Sequence, residues 1–138
     1  MLKSSFRSWF VFFMLLPSAI NAQEVDRDFL LGCHASHVVA LGMAEAIARA
    51  HGGEVNEDRS QIQRERFLAF ADFIGRRASE VGISSDEVGA VQDEATRELS
   101  RLSQDLEAHG GPDALLERLI EEARQCAIRS SRECMISC

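Results

Sequence analysis

Apolar positions recur along this chain in two regimes. From Trp9 to Leu16 they run unbroken, Trp-Phe-Val-Phe-Phe-Met-Leu-Leu, whereas beyond Asp26 they recur three and four residues apart, the spacing of a helix with one buried face. Glycines punctuate the second regime. A first helix is predicted over 26–51, closed by Gly52 and Gly53, residues able to turn left-handed past a helix end. A second, over 57–81, begins near Asn56 or Asp58 and carries Ile62, Phe67, Phe70, Phe73, Ile74, Ala78 and Val81 as its apolar set. Gly82 followed by Ile83 fits a Schellman close, in which an apolar residue folds back onto the last turn.

Ser84 reads as the N-cap of a third helix over 85–109, because Glu87 stands three positions on and can complete a capping box. Val88, Val91, Ala95, Leu99, Leu102 and Leu106 form its narrow stripe. Pro112 suits the first position of a fourth helix over 112–128, with Leu115, Leu116, Leu119, Ile120, Ala123 and Cys126 inside. Ser130-Ser131 is expected to break that helix and leave a cysteine-containing tail, 129–138. Ala-His-Gly-Gly occurs at 50–53 and again at 108–111; both copies are read as C-caps, with His51 and His109 complementing the helix dipole, in preference to metal ligands.

The expected fold is therefore all-α: a small antiparallel four-helix bundle or helical array, disulfide-stabilised, in a single domain over 23–138. The first apolar run belongs to something else. Lys3 and Arg7 before it and Pro17, Ser18, Ala19 and Ala22 after it make a signal peptide over 1–22, too short in its apolar part to span a bilayer. Cleavage after Ala22 would leave a periplasmic or secreted chain of about 116 residues with no transmembrane segment, since no later apolar run approaches 18 residues. Leu30-Leu31-Gly32-Cys33 also has the form of a lipoprotein cleavage site, but Glu24, Asp26, Arg27 and Asp28 separate it from the apolar run and argue against lipidation.

Composition narrows the function. With Lys3 and Arg7 removed, 13 arginines face 22 acidic residues, a formal charge of −9, the wrong sign for a groove that follows phosphates. Phe29, Phe67, Phe70 and Phe73 are the only aromatics left, so stacking platforms for bases are scarce. Nucleic acid is excluded as a partner on these grounds. Cys-x-x-Cys, Cys-x-x-Cys-His, His-Glu-x-x-His, a serine elbow and a phosphate loop are all absent, and the expectation is a non-catalytic protein without cofactors.

One constellation could carry chemistry. Cys33, His34 and His37 stand at three- and four-residue spacings that bring side chains together on a helix and could chelate zinc or copper. Taking the strip of Glu45 and Arg49 as the solvent face of the first helix, otherwise the most buried of the four, puts Cys33 inside, His37 at the border and His34 outside. An even number of cysteines in an exported chain favours disulfides over metal. Antiparallel first and fourth helices put Cys33 level with residue 130, flanked equally by Cys126 and Cys134. Cys33–Cys126 with Cys134–Cys138 is preferred, and Cys33–Cys134 with Cys126–Cys138 is the alternative. An unbroken helix would hold Cys126 and Cys138 about 18 Å apart and forbid the latter. The function expected is a small periplasmic binding or adaptor protein, chaperone-like, whose partner is another envelope protein or a small apolar ligand. The alternative is a metal or redox protein that uses Cys33, His34 and His37 with C-terminal cysteines.

Overall fold

The structure is a computed structural model that describes the backbone of residues 22–137 and the side chains of residues 27–130. The expected signal peptide, save Ala22, and the expected Cys134–Cys138 pairing lie outside the described residues. All regular structure described is helical: α1 over Ala22–His51, α2 over Glu54–Val81, α3 over Ser85–Gln104, a 3-10 turn at Glu107–His109, and α4 over Pro112–Ser137.

The boundaries set by local chemistry fall where the residues place them. Gly82 closes α2 in the left-handed region at φ 75°, and the Ile83 amide donates to the Ala78 carbonyl while its side chain is buried. The Ser84 hydroxyl accepts from the Glu87 amide at 3.2 Å and the Glu87 carboxylate accepts from the Ser84 amide at 2.9 Å, a complete capping box. Four other boundaries differ from expectation, the first being the start of α1, which lies at Ala22 and not at Asp26. Helix α2 starts early, at Glu54, because Gly53 at φ 86° turns the chain directly into it; Asn56 then serves inside the first turn, its amide donating to the Gly52 carbonyl at 2.8 Å. Helix α3 ends at Gln104, not at residue 109, and the chain continues through Asp105 into the 3-10 turn before Gly110 and Gly111, both at positive φ. Helix α4 passes through Ser130 and Ser131 and runs to Ser137, so the expected tail is helical; the Ser130 hydroxyl donates to the Cys126 carbonyl one turn back, a bond that lets serine sit within a helix.

Helix α1 packs against α2, α3 and α4 alike. Arg27 meets Glu87 at 3.1 Å near the starts of α1 and α3, and Arg59 meets Asp113 at 3.1 Å near the starts of α2 and α4. Helices α1 and α3 thus run one way, α2 and α4 the other. In a square up-down bundle α3 would stand diagonal to α1, but here it lies directly on it. Gly42 permits this, since a Cβ at that position would fall on Leu99 Cδ2.

Because three helices cover it, α1 is apolar enough to pass for a membrane span: Arg27–His51 reaches a mean hydropathy of 1.4 over 18 residues, more than half of them buried. No uninterrupted apolar run marks this helix in the sequence, because scattered polar residues break the run without much lowering its mean. The same covering corrects the expected exposure of His34. The Glu45 and Arg49 strip, continued toward the start of the helix, puts His34 on the solvent side, but α2 and α3 close over that level and leave His34 only 1% exposed. Ile62, expected on the core face of α2, is instead 45% exposed.

The core divides in two along α1. Near its start, Leu30 and Cys33 join Phe70, Ile74, Val81 and Ile83; nearer its end, Val39, Ala40, Met43, Ala44 and Ile47 join Ala95 and Leu102 of α3 and Leu115, Leu116, Leu119 and Ala123 of α4. His34 and His37 fall between the two.

Candidate functional site

The first chemical feature at this boundary is covalent. Cys33, fully buried, faces Cys126 with Cα atoms 5.4 Å apart in disulfide geometry, joining α1 to α4 across 93 residues. Its sulfur is thereby unavailable as a thiolate ligand. One turn on, His37 Nδ1 lies 2.8 Å from the Cys33 carbonyl oxygen. A carbonyl only accepts, so Nδ1 carries the proton and Nε2 of the neutral ring is a lone-pair acceptor. The ring stacks on Phe70 at 4.4 Å between centroids, with the two planes nearly parallel. Burial pushes the His37 pKa below the usual imidazole value, against the Cys33 hydrogen bond, and the Arg66 charge lowers it further.

His34 turns to other neighbours. Its ring lies 5.6 Å from that of Phe67 on α2, and its Nε2 is 3.0 Å from Gln92 Nε2 on α3. Since an amide nitrogen only donates, Nε2 accepts, and the proton on Nδ1 is buried without a partner. Burial, and then the nearby His37, hold its pKa below the ordinary value. The fold therefore brings Cys33 to Cys126 but does not gather Cys33, His34 and His37 into one donor set. No three His, Cys, Asp or Glu side chains converge as metal ligands among the described residues.

The two outer gaps over α1 differ. Between α3 and α4 lies a cleft of about 460 Å³ edged by charged side chains, among which Arg101 meets Glu98 at 2.5 Å and Arg118 meets Glu122 at 3.8 Å. These charges answer one another. Between α2 and α4 lies a groove of about 350 Å³ with His37 among its lining residues and apolar walls built from Ala69, Phe70 and Phe73 on one side and Ile120, Ala127 and Ile128 on the other. That volume is at the small end of the range for ligand pockets, about 300–1,000 Å³.

Two polar side chains of this groove are unanswered. Gln63 is only 5% exposed, lines the groove, and has no hydrogen-bond partner among the described residues. Arg66, on the next turn, also lines the groove and has no carboxylate partner among the described residues. Opposite it, Arg124 is held by both Glu121 oxygens at 2.8 Å and so is neutralised locally.

Gln63 and Arg66 were not among the residues singled out from the sequence. A signal existed: Val55, Ile62, Arg66, Ala69 and Phe73 recur at helical spacing as a second row on α2, beside the row that packs inward. Nothing local distinguishes that row from an ordinary solvent face, since the wall opposite comes from α4. Comparison of the chain with protein-family models, with curated proteins and with solved structures finds no match.

Proposed function

We propose that this chain is an exported, non-catalytic binding protein whose groove between α2 and α4 takes up a small apolar ligand. The observation that carries the reading is Gln63: its amide lines a largely apolar groove with no hydrogen-bond partner among the described residues, a polar handle open to a guest. A groove of about 350 Å³ is small beside the broad surface a protein partner needs, so an envelope-protein partner is the less favoured occupant. Export is supported by the Lys3/Arg7, apolar and Ala22 signal pattern and by the Cys33–Cys126 geometry, which suits an oxidising compartment. The metal or redox alternative lacks support, because Cys33 is engaged and no donor set converges among the described residues.

Nile red, a neutral apolar fluorophore, tests the reading. Its fluorescence should rise on adding the oxidised protein, and Ala69→Trp, which fills the groove from an exposed wall position, should abolish at least most of that rise. Equal enhancement by the wild type and by Ala69→Trp would overturn the groove as the binding site.

A further inference from the structure

We infer that the natural ligand is a single-chain carboxylate, with its head group at Gln63 and Arg66 and its tail toward Phe73, Ala127 and Ile128; this rests on the groove being the binding site. Helices α2 and α4 run in the same direction, so the residue order on both walls reads along the groove. Gln63, Arg66 and Ile120 come first; His37, Phe70 and Arg124 lie at the middle; Phe73, Ala127, Ile128 and Ser130 come last, the Ser130 hydroxyl being spent on the Cys126 carbonyl. The groove is thus polar at one end and apolar at the other, the profile of an amphiphile lying lengthwise.

The charge follows from what is already neutralised. Glu121 occupies the Arg124 guanidinium, and the buried His37 ring is held neutral, so Arg66 supplies the net charge facing the groove, one positive unit. One guanidinium and one amide provide planar N–H donors suited to the two oxygens of a carboxylate, while a phosphate dianion would lack a second cation. An ammonium head would meet a like charge. In a chain with a formal charge of −7, this preference for an anion is a local property of the groove.

Decanoate, decanol and decylammonium, matched in chain length, should be competed against Nile red on the oxidised full-length mature protein. Decanoate should displace the dye at concentrations about tenfold lower than decylammonium, as expected for one charge-assisted contact. Arg66 is exposed and has no carboxylate partner, so Arg66→Gln should fold, and it should bring the two ions to equal affinity. Gln63→Leu should weaken decanoate more than decanol. Decylammonium binding as well as decanoate, or a decanoate preference that survives Arg66→Gln, would overturn the carboxylate assignment while leaving the groove reading intact. Nile red binding that is absent, or indifferent to Ala69→Trp, would overturn the groove reading and the carboxylate with it.

Discussion

The two halves of α1 are held by different means. Its first half lies in an aromatic-rich core, where Phe70, Ile74, Val81 and Ile83 surround Leu30 and Cys33 and a cross-link joins it to α4. The second half lies in an aliphatic core drawn from α3 and α4, with Leu115 and Leu116 almost wholly buried and Leu99 seated on Gly42. Each half satisfies itself. The seam between them holds His34 with a buried bare N–H, His37 with a lone pair, and nearby Gln63 with an unanswered amide. Polar groups are tolerated at the seam because neither core extends across it, and the seam opens into the groove. The proposed binding groove thus opens where the packing of the two halves fails to meet.

The largest test of that contrast removes the cross-link. The disulfide closes a loop across 93 residues of sequence, worth about 4–5 kcal/mol in the chain-entropy model. Cys33→Ser should therefore lower the denaturant midpoint strongly, and hydrogen exchange should rise first around Leu30, Ile74 and Val81 while Leu115 and Leu116 stay protected. Uniform loss of protection would show that the two halves behave as one core. A midpoint unchanged from the wild type would show that no such bond operates in solution.

A smaller effect probes the second half. At Gly42 even one added carbon meets the end of the Leu99 side chain, and Gly42→Val adds two more in a close-packed contact between α1 and α3. Overpacking of this kind costs about 1–3 kcal/mol. The loss should appear in thermal melts whether or not the disulfide is reduced, because the affected contact belongs to the other half. If reduction erased the difference between Gly42→Val and the wild type, the two halves would be coupled through α1.

The smallest predicted effect titrates the seam itself. The folded-state pKa values of His34 and His37 lie below 6.5, so between those values and 6.5 the unfolded chain binds more protons than the folded one. Stability then rises with pH through that window: it is full above about pH 6.5 and declines as the pH falls from there through the depressed values. The groups facing these rings have fixed roles: Gln92 is neutral, Arg66 is a permanent cation, and the Cys33 carbonyl does not titrate. Melting temperatures should fall between pH 7.5 and 5, and His34→Gln should flatten the slope. A slope unaffected by that substitution would assign the acid sensitivity elsewhere.

Much of the helical outline was legible in the residues because its signals are short-ranged. Gly82 with Ile83, Ser84 with Glu87, and Pro112 each act on backbone groups within about one turn, so spacing alone determined where α2 closed and where α3 and α4 began. The burial of Cys33 and the apolar character of α1 could be read in the same way, from the near absence of charge along one helix. The continuation of α4 through Ser130 and Ser131 could not, because serine is compatible with a helix interior once its hydroxyl finds the carbonyl one turn back. Neither could the burial of His34, which depends on Phe67 and Gln92 arriving from two other helices 33 and 58 residues further along the chain. The groove is the clearest case. Its walls belong to α2 and α4, and whether Arg66 stands in open solvent or over an apolar trough depends on how far apart those helices sit on α1. Sequence by itself determined which segments are helical and most of their inward positions, Ile62 excepted, since these follow from periodicity and caps. Tertiary structure alone decided which polar groups went unanswered, because a hydrogen bond or ion pair is lost or made only when separate helices settle at a given distance.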